Sequence, residues 1–313
     1  MIKEFPTHYE QSHGGVCPQC LHVLPVLETI SADYFEGREI RCSNPTCGKP
    51  VDPWKATVAG MRKPRASLFK VMLLGATQNS FQVDFAPEET KEIDLTHYGV
   101  PANATVLNLI FTPQLVEGGG SCFPLLVHAN QAYPQSMETK FWVYARPAVG
   151  KLESAVRVGV MVVWVSNDRG GLSWTYLADA LEALSARRYW NVALPSYVAF
   201  ELGLMPLVRE ALERFASKDR TEEFVRNDLR SSSALNVLLP TLCGLVGAPL
   251  LPDAIRGEIN RLRELRNNLV HHGVNKTAVD EERAAVSLCA AIFGLEYLHY
   301  VRPRLIPALG TGT

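Results

Sequence analysis

The hydrophobic rhythm of the chain changes twice. Between about residues 67 and 167, apolar residues come in short runs, alternating or continuous, at 68–74, 80–85, 104–111, 125–128, 140–145 and 156–165. Turn material separates them: Asn79-Ser80, Pro87-Glu88-Glu89, Pro101-Ala102-Asn103 and Gly118-Gly119-Gly120-Ser121. Segments of period two, rich in Val, Phe and Trp at this spacing, predict the strands of a β-sandwich-like domain or a small barrel. After Gly170-Gly171 the spacing becomes three and four. Trp174, Leu177, Ala178, Leu181 and Leu184 begin it, and Val198, Leu202, Met205, Val208, Leu212 and Phe215 continue it. Stretches 232–246, 253–272 and 280–300 repeat the pattern, which predicts four or five antiparallel helices.

The ends of these helices carry their own signals. Asp253 is placed to cap one start, Gly273 to stop the same helix, and Asp280-Glu281-Glu282 to set acidic charge at the positive end of the last one. The first 60 residues follow neither period. The chain is therefore a multidomain α+β protein, with a small N-terminal module at 1–60, a β-rich sandwich-like domain at 61–168 and an all-α bundle at 169–313.

Composition changes this picture little. Of 313 residues, 47% are apolar and 20% charged, with a net charge of −1, so several folded cores are expected and a strongly basic nucleic-acid binder is not. Any nucleic-acid contact must come from a local patch. No apolar stretch of about 20 residues escapes a charge, Pro or Gly, and the N-terminus lacks the apolar core of a secretion signal. The expectation is a soluble cytoplasmic protein with no membrane partner.

Cysteine does change it. Four of the seven cysteines lie in two knuckles, Cys17-Pro-Gln-Cys20 and Cys42-Ser-Asn-Pro-Thr-Cys47-Gly, separated by 21 residues. Four thiolates so spaced, with Pro18, Asn44 and Gly48 supplying turns, can close a tetrahedral structural Zn²⁺ site on Cys17, Cys20, Cys42 and Cys47. A redox pair at Cys17 and Cys20 would leave the second knuckle without a role. The segment resembles a zinc ribbon, with short strands expected near residues 23–27 and 38–41, and metal binding would supply much of its stability. With all four ligands from protein, the ion keeps no catalytic water. Gly118 to Gly120 lack the Lys-Ser/Thr of a phosphate loop.

The densest chemistry lies at Arg266-Asn267-Asn268-Leu269-Val270-His271-His272. A guanidinium can fork onto a phosphate, and an imidazole can move a proton near neutral pH. RNA brings its own nucleophile, the 2′-hydroxyl, so this set suffices for phosphodiester cleavage without a serine or cysteine. On the helix, Ile255, Ile259, Leu262, Leu265 and Leu269 form the apolar stripe, and Arg266 falls on it. A guanidinium there must line a cleft or face a partner. His271 lies about 140° round the helix from Arg266, so one copy does not bring the two together by spacing alone. Two copies about a twofold axis could share a groove. The ordinary alternative is a helix C-terminus whose Arg and His meet the dipole and the last carbonyls.

Arg266 to His271 matches the arginine–four residues–histidine signature of HEPN domains, including the Asn that commonly follows the arginine. The helices at about 171–305 also resemble that fold. The resemblance implies a dimer formed through the bundle, with a metal-independent endoribonuclease site composed of Arg266, Asn267 and His271 from two subunits. His272 satisfies the looser spacing of the family. The implied reaction is transesterification to a 2′,3′-cyclic phosphate, with no catalytic cofactor. Arg256, Arg261 and Arg263 on the same helix are candidates for RNA backbone contacts. Such domains serve as effectors of toxin and antiphage defence systems, with attached regions sensing a phage or host protein. Some members have no nuclease activity, so the alternative is a dimeric adaptor that uses the bundle for assembly.

Overall fold

The computed structural model describes residues 17–20, 22, 24, 27–61, 77–114, 122–127, 139–147, 155–165, 172–272 and 279–310. By contact, the chain falls into two units. One comprises residues 1–11 and 76–171, the other 12–75 and 172–313. The cysteine segment thus belongs to the same unit as the C-terminal helices.

Among its described residues the β unit holds six strands, β1 (Thr77–Phe85), β2 (Thr90–Asp94), β3 (Thr105–Gln114), β4 (Cys122–Val127), β5 (Lys140–Pro147) and β6 (Val156–Val165). They form two antiparallel three-stranded sheets, in the orders β1-β6-β3 and β2-β5-β4. Val156, Val158, Val160 and Val162 alternate inward along β6. They join Val83 and Phe85 of β1, Ile93 of β2 and Phe141 and Val143 of β5 in one core that both sheets share. Buried Asn79 uses both ends of its amide: it donates to the Tyr98 carbonyl at 2.7 Å and accepts from the Trp164 indole at 3.1 Å. The run at 68–74, expected as a strand, lies outside the described residues.

The helical unit contains α1 (Leu27–Phe35), α2 (Pro53–Met61), α3 (Leu172–Ser185), α4 (Trp190–Leu212), α5 (Lys218–Asn227), α6 (Ser231–Val246, π-helical over Ala234–Leu238), α7 (Asp253–His272) and α8 (Glu281–Leu309). Residues 23, 25 and 26 of the first expected strand lie outside the described residues, and residues 38–41 form no strand. Leu27 starts a helix whose Leu27, Ile30 and Phe35 are buried, and the second stretch contributes only an isolated bridge from Arg41 to Pro50. Asp280 caps α8, accepting from the Arg283 backbone N–H at 2.8 Å. Asp253 is itself the first residue of α7, and the Pro252 carbonyl accepts the Arg256 N–H. Gly273 lies outside the described residues.

Helix α8 is the axis of this unit. Every residue from 287 to 298 is buried, so more than three turns have no solvent face. It packs on α4 and α7, and α3 packs on α4. By length and composition α4 and α8 are long and apolar enough to cross a membrane, a property hidden when the apolar runs are read as broken by Pro, Gly and charge. Within the unit, 89% of the most apolar window of α8 is buried.

Close approach at α8 depends on Gly294. A Cβ there would lie 2.8 Å from the Phe200 ring of α4 and 2.8 Å from Cδ1 of Ile259 on α7. Gly294→Ala is expected to destabilise the helical unit by about 1–3 kcal/mol through overpacking, measured by denaturant unfolding. Unchanged stability would show that Phe200 and Ile259 yield freely.

Candidate functional site

The two knuckles converge. Hydrogen bonds within each loop shape them: the Cys17 N–H donates to the His22 carbonyl at 2.9 Å and the Cys42 N–H to the Lys49 carbonyl at 2.9 Å. Asn44 closes the second turn, its side chain accepting from the Thr46 backbone N–H and its carbonyl from the Cys47 and Gly48 N–H groups. Gly48 takes a left-handed φ of 54°. All four Sγ atoms of Cys17, Cys20, Cys42 and Cys47 lie within 4.8 Å of one another, with Cys17 to Cys47 at 4.0 Å and Cys20 to Cys42 at 3.5 Å. A tetrahedron with metal–sulfur bonds of about 2.3 Å has edges of about 3.8 Å. The cluster could therefore hold a metal ion and is compatible with structural zinc.

Its electrostatics ask for a cation. The Gln19 backbone N–H helps bring the Cys17 thiol down to about 7. At Cys42 the Asn44 backbone N–H favours the thiolate, but burial and the neighbouring thiols outweigh it and push the group up to about 12. A bound cation would offset the repulsion among thiolates packed this closely.

The second centre sits where α7 passes α4. Arg266 is half-buried, as its place on the apolar stripe requires, and its Cζ lies over the Tyr197 ring at 5.9 Å from the centroid. Its Nη1 donates to Oδ1 of Asn267 at 3.0 Å, while its Nε is buried with no hydrogen-bond partner among the described residues. Tyr197 is itself buried, and its hydroxyl shares a 2.7 Å hydrogen bond with Ser231 at the start of α6. Burial raises the Tyr197 pKa above its usual value, which keeps the phenol protonated. Asn267 thus gives its side-chain carbonyl to Arg266. Helix α7 runs through His271 and His272, whose side chains lie outside the described ones.

The three arginines proposed for backbone contacts differ. Arg256 pairs with Asp253 at 2.5 Å, and Arg261 pairs with Glu258, which also holds Arg283 at 3.0 Å. Asp253 is largely exposed, so a phosphate can compete with it for Arg256, whereas Glu258 is only 17% exposed. Arg263 has a buried Nε with no partner among the described residues, like Arg266 one turn along. Tyr197 and Ser231 were not legible as site residues: a tyrosine on an apolar helix face looks like core until α7 is laid across it.

No family model, no curated protein and no solved structure matches this chain. The side chains themselves must carry the functional reading.

The metal centre is directly testable. Anaerobic Co²⁺ titration of the full chain should give a single tetrahedral site with thiolate charge-transfer bands, and Cys20→Ser with Cys42→Ser should abolish it. Absence of those bands in the unaltered protein would remove the centre.

Proposed function

We propose that this protein is a metal-independent endoribonuclease of HEPN type, acting through a composite site made by two copies of its helical unit, and that it is the effector of a toxin or antiphage defence system. The observation that carries the proposal is the environment of Arg266. A guanidinium is held half-buried by an aromatic ring and an amide, on a helix that ends in two histidines. Pinning a cation in this way lowers the entropy lost when it grips a phosphate, which suits it to charge that develops at a scissile phosphorus.

In the proposed reaction His271 of one copy takes the proton from the ribose 2′-hydroxyl. The 2′-oxygen then attacks phosphorus and the P–O5′ bond breaks. A protonated imidazole from the second copy gives its proton to the leaving 5′-oxygen, so the products are a 2′,3′-cyclic phosphate and a 5′-hydroxyl. Arg266 stabilises the extra negative charge on the phosphoryl oxygens, and Asn267 holds Arg266 in place. Arg263, Arg256 and Arg261 add backbone contacts beside the reacting group. In this reading Zn²⁺ on the four cysteines is structural, and the β unit is a sandwich-like sensor of a phage or host protein. In this reading the protein acts on RNA in the cytoplasm.

Cleavage of total RNA by the full chain, and toxicity on expression in cells, test the proposal together. Arg266→Ala and His271→Ala should each lower cleavage by about 100-fold or more and relieve toxicity without dissociating the dimer. Leaving out Mg²⁺, or a brief exposure to EDTA, should not slow the reaction. His272→Ala decides between the two histidines: the catalytic one is the one whose loss matches that of Arg266. A protein that neither cleaves RNA nor is toxic, yet dimerises, would instead be the non-catalytic adaptor.

A further inference from the structure

The cysteine segment has almost no core of its own. Around the knuckles the buried cluster consists of Cys17, Leu24, Cys42, Val51 and Ala56, with Cys20 and Cys47 packed against it, so the four ligands are most of that cluster. Helix α1 lies between the second and third cysteines and α2 follows the fourth. Both helices are therefore tethered to the knuckles, and the large apolar residues they bury, Leu27, Ile30 and Phe35 on α1 and Met61 on α2, lie outside the cysteine cluster.

What these helices touch is one stripe of α8. Tyr34 meets Phe293 edge-on at 5.4 Å, and Trp54 reaches the same ring at 5.3 Å. Phe35 packs on Tyr297 at 5.3 Å and on Tyr300 at 5.5 Å. The Tyr300 hydroxyl donates to the Glu36 carboxylate at 2.6 Å, and Arg304 covers the Tyr300 ring at 4.0 Å while facing Glu36 at 3.5 Å. Positions 293, 297, 300 and 304 follow the four-three-four spacing of a single helix face. The adjacent face of the same turns is committed elsewhere. Gly294 seats Phe200 of α4 and Ile259 of α7, and Leu295 and Leu298 fill the space over Gly203 of α4. At the start of α8, Arg283 pairs with Glu258 of α7. One stretch of α8 is thus held between the knuckle helices and the helix that carries Arg266.

We propose that the four-cysteine centre is a metal-dependent clasp on the helical unit. A bound ion fixes α1 and α2 on the aromatic stripe of α8; losing the ion frees them and loosens α8 together with the α4–α7 seat of Arg266. Close-packed interiors transmit such changes because a buried helix has few alternative positions. The control of cleavage that this implies rests on the ribonuclease reading, whereas the clasp does not.

Hydrogen exchange of the full chain, refolded with and without Zn²⁺, tests it. Bound zinc is counted by a chromogenic chelator after release. Peptides covering residues 293–304 and 253–266 should exchange roughly 10-fold more slowly in the zinc-loaded protein. In a Phe35→Ala, Trp54→Ala variant zinc should still bind, but exchange in α8 should no longer respond to it. If that variant does not fold, Tyr300→Phe, which removes only the hydrogen bond to Glu36, should reduce the response. Zinc that binds and leaves while only residues 17–61 change their exchange would overturn the clasp, as would failure to bind zinc at all. RNA cleavage is scored in parallel. An inactive protein that keeps the α8 response sinks the ribonuclease reading and leaves the clasp standing; an active one with zinc-independent α8 exchange sinks the clasp alone.

Discussion

Burial of α8 is the constraint on which the helical unit depends. A helix with no solvent face over residues 287–298 must be enclosed, and each fully buried Leu, Ile or Phe on it contributes about 1.5–3 kcal/mol only if its neighbours stay in place. Those neighbours come from distant parts of the sequence. Helices α4 and α7 meet one side at Gly294, and α1 and α2, more than 200 residues earlier in the chain, meet another at Phe293 and Tyr297. The apolar content that makes α8 long enough to span a membrane is the same content that this enclosure uses.

Enclosure also sets the terms for Arg266. Helix α7 presents Ile255, Ile259 and Leu262 to the core, and Arg266 shares their stripe one turn further on. Half-burying a guanidinium is unfavourable unless something replaces its water. Here an aromatic face and the Asn267 carbonyl replace part of it, and the buried Nε has no hydrogen-bond partner among the described residues. A purely structural helix end would be more stable with an aliphatic residue at this position. In the proposed ribonuclease reading this incompletely satisfied cation is the group that grips the phosphate. Arg263, one turn back, has the same shortfall, and together the two concentrate positive charge locally in a chain whose net charge is −1.

Legibility in the sequence followed the strength of each physical signal. Most ends of the long periodic helices were readable to within a few residues, as was the capping role of Asp280, because buried stripes impose spacing on the chain. Helix α5 was not, because Lys218–Asn227 buries only Thr221 and Val225. Strand β2 was not readable for a related reason. It is a short, charged edge strand with Ile93 as its one core residue. The start of α4 at Trp190 was masked by Pro195, and the end of α8 by Pro303 and Pro307, since proline reads as a boundary even where the helix continues. The four cysteines could be identified as a cluster because metal-ligand spacing is local. Their attachment to the helical unit could not, because it rests on Tyr34, Phe35 and Trp54 meeting residues of α8 across most of the chain.

The same distinction explains why Tyr197 escaped notice while Arg266 did not. An arginine on an apolar stripe violates the pattern of its own helix, so a single segment is enough to reveal it. A tyrosine on such a stripe violates nothing; its function is defined only by what crosses it. Tyr197 lies under Arg266, and its hydroxyl is fixed by Ser231 at the head of α6, where the helix begins immediately before its π-helical stretch. The orientation of the guanidinium is therefore set jointly by α4, α6 and α7. A change in how α8 seats α4 and α7 would reach Arg266 through Tyr197 without altering any residue of the arginine–histidine motif itself.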